Sequence, residues 1–542
     1  DSDSHEAKSL IQLLESFLLS NTRNSDRAWW ISTSGSISVL DEEDGVRAII
    51  PDVKVVFNID KKENPLVEIG DLELRISHES GEGLNISVQL PSPFRLRNPN
   101  GSVAAEISFD SSQFTLNWDS ELKTIIGHQF DFRDISLREK DNLIGRIERI
   151  ESTGKLDEQQ KGFWAGFSTF RMQNLVSTIF EIDEVETHYS MKSLRLREFT
   201  SAMKEVDLDG RFGSWFYGGA FYPTGLYEHS LTRKNVIPFL DAARIALPAQ
   251  GDVSFQASLQ NFSFPGKYSI SQIRYQTDNR HDSDGLANAS TQLGFEGINV
   301  ATTPATAAFR NLIPSSVTFN LKFDRISEIS LFDFIRTVTV DALKDRSGMS
   351  KQEIDDAILE LLFTHIGEFS KILAKLKTKV SINNTVIKAP FYEAHLKGEI
   401  TAEPRAVGKF LGNMELNLKD DKKVINQIIE NLLSQKLDIG QKISGVSSNS
   451  SNYKYRLAVG HDGRIRLNGT DLGPLLPEDG RLGSTPSSIK QRVEMPTLPR
   501  KEEPRGKDDI ENRLRRLKTL FEKGLIQKDE YDTKRREIVK SL

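Results

Sequence analysis

The chain has 542 residues, 71 Lys and Arg against 77 Asp and Glu, a net charge of -6 and no cysteine. That length exceeds what one hydrophobic core usually serves, so two or three domains are expected, and 37% hydrophobic with 27% charged residues describe a folded chain. The mild negative charge argues against a general nucleic-acid binder, and the missing thiols exclude disulfides, cysteine nucleophiles, iron–sulfur clusters and cysteine-based zinc sites.

In chain order, the first expectation is an amphipathic helix from Glu6 to Leu19, with Leu10, Leu13, Leu14, Phe17 and Leu18 near one face. Between Trp29 and Leu137 the period changes to two. Val53 to Ile59, Leu72 to Ile76 and Leu84 to Leu90 alternate apolar and polar, as half-buried strands do, and Pro91, Pro93 and Asn98-Pro99-Asn100-Gly101 punctuate them. Val103 to Ile107, Phe114 to Trp118 and Phe130 to Leu137 continue an antiparallel meander. A helical interruption is expected over Gln160 to Phe180. Strands resume at Glu186 to Met191, Val253 to Leu259, Tyr268 to Tyr275, Gln292 to Ile298 and Ser316 to Phe323. Ser350-Lys351-Gln352-Glu353 reads as a capping box opening a long helix through Ile354, Ile358, Leu361 and Phe369 to about Leu376. Strands near Lys379–Ile382 and Tyr392–Thr401, a helix from Asp420 to Lys436, and strands Lys454–Val459 and Arg464–Leu467 complete the body. Pro- and Gly-rich residues follow without periodicity and form a linker.

The fold class expected is mainly β with α additions: antiparallel, curved β-sheets in two regions, packed helices, and a C-terminal two-helix hairpin on a linker. The expected divisions are 1–24, an amphipathic helix; 25–180, a first β-rich region with a helical end; 181–340, a second β-rich region; 341–473, an α+β region; 474–508, the linker; and 509–542, the hairpin.

Local catalytic signatures are missing from the sequence. The nine histidines are scattered without metal-ligand spacing, and no HExxH, Walker loop, GxGxxG or Gly-x-Ser-x-Gly occurs. No cofactor and no metal are expected. The acidic stretch Asp278 to Asp284 lacks the full calcium-loop register and reads best as a solvated hairpin loop. The densest aromatic patch runs from Gly210 to Tyr227. Its glycine-threaded Phe212, Trp215, Phe216, Tyr217, Phe221, Tyr222 and Tyr227 follow neither a helix nor a strand period. They are the candidate ligand-binding residues: aromatic faces on flexible glycines suit a groove for acyl chains, sugars or a partner's side chains, and equally a loop that plugs an open β-structure.

In the tail, Ile510, Leu514, Leu517 and Phe521 recur at helical spacing before Gly524, and Tyr531, Ile538 and Leu542 mark a second short helix. The series Leu514, Leu517, Leu520, Phe521, Glu522, Gly524, Leu525, Ile526, Glu530, Tyr531, Lys534 and Ile538 resembles the short C-terminal (SHOCT) domain. Gln527 departs from that family's usual Thr or Ser N-cap. The resemblance covers the tail alone. It implies docking or oligomerisation, and makes Leu514, Leu517, Phe521, Tyr531 and Ile538 the candidate interaction residues. The body, through Leu312-Ile313-Pro314-Ser315-Ser316-Val317 and Gly463 to Pro474, resembles β-rich envelope proteins of alphaproteobacteria and the AsmA-like group. This implies a periplasmic location and an elongated sheet with an apolar inner face, as used by lipid-handling proteins.

The missing cysteines fit an oxidising compartment, and a start at Asp1 rather than Met suggests removal of a signal or anchor. The functional expectation is therefore a non-enzymatic, periplasmic or envelope-associated protein. It binds apolar or amphipathic ligands such as lipid, or scaffolds an assembly, with a protein partner or a second copy engaged through 509–542 and no nucleic acid. The alternative is a carboxylate-dependent hydrolase acting on envelope glycans or lipids, centred near Asp278 to Asp284.

Overall fold

The computed structural model describes residues 8–12, 14–15, 29–57, 65–78, 83–122, 124–204, 236–301, 310–344, 351–420, 423–429, 446–449 and 451–474. The chain divides into two units, Asp1–Gly480 and Arg481–Leu542; the second lies outside the described residues.

The first unit is mainly antiparallel β-structure. Its opening strands are β1 (Trp29–Ser32), β2 (Ser38–Glu42), β3 (Gly45–Phe57), β4 (Leu66–His78), β5 (Gly83–Gln89), β6 (Phe94–Arg97), β7 (Val103–Ser108) and β8 (Ser111–Asp119). Longer strands follow: β9 (Thr124–Glu139), β10 (Asn142–Gln160), β11 (Phe163–Ser177), β12 (Glu181–Leu194), β13 (Asp252–Phe264), β14 (Tyr268–His281) and β15 (Ala287–Glu296). The series closes with β16 (Asn299–Val300), β17 (Ser316–Ile326), β18 (Lys379–Lys388), β19 (Tyr392–Ala402), β20 (Phe410–Asp420), β21 (Val446–Asn449), β22 (Asn452–Val459), β23 (Arg464–Leu467) and β24 (Thr470–Pro474). Among the described residues there are 24 strands, all in one sheet. Near its start β4 pairs with β5 along one half and β6 along the other, and β8 and β7 bring both branches onto β9. From β9 the sheet is a plain meander in which each long strand pairs with the next.

The helices are α1 (helical at 8–12 and 14–15), α2 (Leu196–Lys204), α3 (Val236–Gln250), α4 (Glu328–Leu343), α5 (Lys351–Leu376) and α6 (424–429). Leu10 and Ile11 of α1 are buried among β3, β4, β5 and β8, as the amphipathic pattern requires. The expected helix over Gln160 to Phe180 is instead strand β11. Trp164, Gly166, Ser168, Phe170 and Met172 point to one face with period two, and aromatic and Thr content favours an extended backbone. The expected helix over Asp420 to Lys436 is seen at 424–429, because Asp420 still belongs to β20 and its Oδ2 accepts from the Asn426 N–H at 2.8 Å; residues 430–436 lie outside the described ones. Helix α5 matches the long helix expected up to Leu376, while its cap residue Ser350 is not among the described residues. Helices α2, α3 and α4 and strand β20 were not anticipated by the periodicity.

Helix α4 starts at Ser327, whose Oγ accepts from the Ser330 N–H at 3.2 Å. It is tied to α3 by Arg336 donating to Asp241 (2.5 Å) and by Arg244 pairing with Asp333 (2.6 Å), and to α5 by stacking of Phe334 on Phe369. Among the described residues, three buried clusters anchor the unit: one under β3 to β8 with α1, one where α2 and α3 meet β10 to β12, and one around Leu418 and Tyr455 near α6.

Candidate functional site

An apolar sheet face

The register of the meander places apolar residues in a transverse line. Phe132 on β9 stands opposite Ile150, then come Met172, Val185, Leu259 and Ile273 on successive strands to β14. The line continues through Phe295, Val317, Ile387, Ala394, Leu418 and Tyr453 on β15, β17, β18, β19, β20 and β22. Twelve strands contribute and every residue is apolar or aromatic. At the ~4.8 Å spacing of neighbouring strands the line runs for about 50 Å.

One residue along each strand, the parallel line points to the opposite face. It reads Arg133, Arg149, Gln173, Glu184, Gln260 and Gln272, then Glu296, Ser316, Lys388, Glu393, Lys419 and Asn452. All of them are polar. Along this pair of lines the sheet is thus two-sided, which period-two alternation produces where the registers agree from strand to strand.

Ten of the twelve apolar residues are only half-buried; Ala394 and Leu418, which belong to the third cluster, are the buried pair. Helices α2 and α3 cover the face near Tyr189, Met191 and Trp164, at one end of the strands. Between Val253 and Ile326 the buried hydrophobic residues among the described ones are Leu286 and Ala287, both at a turn. Half-burial of these ten side chains leaves apolar surface in contact with water, at about 25 cal/mol for each Å². Such a face can take up apolar molecules without requiring any hydrogen bond.

The polar face is held by ion pairs across strands. Arg149 donates to both carboxylate oxygens of Asp131 at 2.9 Å, Arg133 joins at 2.8 Å, and together they hold the Asp131 carboxyl down to about 2. Lys454 does the same to Glu415, also about 2. A broad hollow of about 920 Å³ on this face is lined by Gln292, Ser316, Thr318, Asn320, Asn384 and His395. A register shift between β17 and β18, with Asn384 left-handed at φ 49°, shapes it.

The acidic stretch Asp278 to Asp284, which ends β14 and turns toward β15, forms an ionic node. Arg325 donates to Asp282 (2.7 Å) and Asp284 (2.9 Å) and also reaches the Leu376 carbonyl that ends α5. His281 lies between Glu328 of α4 (3.1 Å) and Asp252 of β13 (3.4 Å), and Glu328 holds its pKa above the ordinary value. These carboxylates face basic partners, as a fastening between sheet and helices does. No cluster of metal-ligating residues occurs among the described residues.

The candidate ligand residues Phe212, Trp215, Phe216, Tyr217, Phe221, Tyr222 and Tyr227 lie outside the described residues, as do Leu514, Leu517, Phe521, Tyr531 and Ile538. The apolar row escaped sequence reasoning because it is a property of register. Each strand showed its own alternation; which residues align across twelve strands did not.

No family model and no curated protein matches the chain. Among solved structures, OccD3 (OpdP) of Pseudomonas aeruginosa aligns over 79% of this chain and 88% of its own, at 8% identity and a TM-score of 0.11. A score that low carries no argument about fold or function. No helix among the described residues is long and apolar enough to cross a membrane.

Proposed function

We propose that this chain is a non-enzymatic protein of the bacterial cell envelope that holds apolar or amphipathic ligands, acyl chains of lipid foremost, against the apolar face of its sheet. The supporting observation is the unbroken line from Phe132 to Tyr453, ten of whose twelve members are half-buried. An acyl chain needs a long dry strip without directional bonding, and the line supplies one. The aromatics between Phe212 and Tyr227, which in sequence join α2 to α3, contribute further contacts in this reading. Residues 509–542 serve docking or self-association, and the location is periplasmic or envelope-associated in this reading.

Native mass spectrometry of the purified full chain, with lipid extraction, tests the reading. Bound lipid is expected in the unaltered protein. Leu259→Asp with Ile273→Asp places two carboxylates in the centre of the strip and should lower retained lipid by at least about tenfold, since desolvating a charge costs more than the 1.4 kcal/mol that corresponds to that factor. Far-UV circular dichroism confirms the sheet is intact. Lipid retained equally by a folded variant, or a wild-type protein free of lipid, would sink the proposal.

A further inference from the structure

One end of the sheet carries a second apolar zone, set apart from the first by a polar line. On β9 the apolar positions run Phe130 and Phe132, then shift phase to Ile135 and Leu137; on β11 Met172 gives way to Leu175, and on β13 Leu259 to Phe262. The residues at the shift are Asp134, Glu148, Asn174, Asp183, Asn261 and Gly297, which the registers set at one level across the sheet. On alternate strands the residue there is left-handed: Asp134, Asn174 and Asn261 at φ 50° and Gly297 at φ 67°. Asn261 donates to Asp183 at 2.7 Å, Arg146 to Asp134 at 2.6 Å, and Asn174 to Glu148.

Beyond this line the β9–β10, β11–β12 and β13–β14 turns lie side by side. The Thr178 N–H donates to the Ile144 carbonyl (3.2 Å), joining the first two, and the Phe180 ring sits 6.2 Å from Phe262 and 5.9 Å from Phe264, joining the third. Leu143, Val176 and Tyr268 are exposed here, and Ile179 at the tip is 63% exposed. Single exposed hydrophobics are ordinary, but four gathered at one rim of the sheet, with Val176 on one face and Tyr268 on the other, mark that edge as a contact surface.

We propose that this rim docks on a lipid bilayer surface, led by the β11–β12 turn with Ile179 at its tip. Three observations select a bilayer over a protein partner. The tip has few backbone groups left for water: Ser177 Oγ accepts from the N–H groups of Ile179 (3.2 Å) and Phe180 (2.9 Å), and the Ser177 N–H donates to the Phe180 carbonyl (2.9 Å). A low-dielectric medium demands that self-sufficiency. The strand part of the apolar band, from Asn174 to Ser177, is about 10 Å deep at 3.3 Å per residue, the depth to which interfacial elements enter. Tyr268, packed on Phe264 at 4.8 Å, combines an apolar ring with a polar end, the pairing favoured at membrane interfaces. The β9–β10 turn is charged, Arg138 and Lys140 against Glu139 and Asp141, and Lys267 is balanced in number by Glu181, so the rim has no net charge to draw it to a surface and the attraction is apolar rather than ionic. The proposal stands on residues other than those of the transverse strip, so either can fail alone.

The absence of cysteine from the chain makes the test direct. Ile179→Cys and Val407→Cys, the latter 72% exposed in the β19–β20 turn, are each labelled in the full chain with an environment-sensitive fluorophore. Vesicles of phosphatidylcholine and phosphatidylethanolamine should raise and blue-shift emission severalfold at 179, leave 407 unchanged, and do so regardless of added salt. Ile179→Asp with Tyr268→Ser should abolish flotation with vesicles while lipid extracted from the protein stays constant. No response at 179, an equal response at 407, or a response at 179 without vesicles that tracks a doubled mass in light scattering would each overturn the proposal, the last in favour of a second copy.

Discussion

The strands at the start of the sheet and those in its middle are built from the same alternating pattern, yet only the first set makes a core. Under β3 to β8, Val46, Ile76, Leu84 and Ile125 are each about 1% exposed, and α1 closes over them with Leu10 and Ile11. From β13 to β17, Leu259, Ile273, Phe295 and Val317 are equally apolar and remain half-buried. Alternation therefore specifies a face; a core requires a second layer. Where the chain supplies that layer the face contributes stability, and where it does not the face remains available to another molecule.

The contrast is sharpest in stability. Ile76→Ala or Leu84→Ala should cost about 2–5 kcal/mol, while Ile273→Ala should cost about 1 kcal/mol or less, because a half-exposed site opens no sealed cavity. Urea denaturation of the three variants checks this, and equal losses would erase the distinction between the regions. The open region nevertheless holds one tight point. A Cβ at Gly297 would stand 2.2 Å from Ser271 Oγ on a backbone at φ 67°, so Gly297→Ala should destabilise by about 1–3 kcal/mol. A neutral result would show that the β14–β15 edge yields freely.

The smallest effect concerns pH. His281 joins β14 to Glu328 and Asp252, and its pKa is raised, first by the Glu328 hydrogen bond. A raised histidine contributes stability that is fully present below its unfolded pKa of about 6.5 and is lost as pH rises through the folded value. Exchange protection in α4 should therefore weaken as pH climbs above about 6.5, and Glu328→Gln should flatten the dependence. A profile unchanged by Glu328→Gln would remove His281 from the fastening.

Much of the sheet was legible because strands such as Leu72 to Ile76 and Leu84 to Leu90 alternate strictly. The strand ends were less so. Strand β13 looked finished at Leu259 because Asn261 is a turn-forming residue, yet it occurs mid-strand at the polar line, where its left-handed backbone resets the phase. Helix α4 was hidden for a related reason: its N-cap Ser327 lacks a Glu or Gln three residues on, having Ser330 instead. The β11 error arose because Gln160 to Phe180 mixes glycine, serine and aromatics, and only its pairing with β10 and β12 discloses the period. The transverse strip needed pairings between strands far apart in sequence, such as Val185 with Leu259, across the 57 residues that carry α2 and α3 between β12 and β13.

Because nearly every long strand bonds to its sequential neighbour, the meander approaches a one-dimensional array. Its folding free energy is then largely a sum of nearest-neighbour terms, and order can grow strand by strand from the buried N-terminal cluster. In such an array damage stays local. A broken pairing between β14 and β15 divides the sheet into two shorter ones, each keeping its own anchor, rather than melting the whole. Unfolding is therefore expected to proceed by partial events, with midpoints that differ between a probe in the N-terminal cluster and one beyond β14.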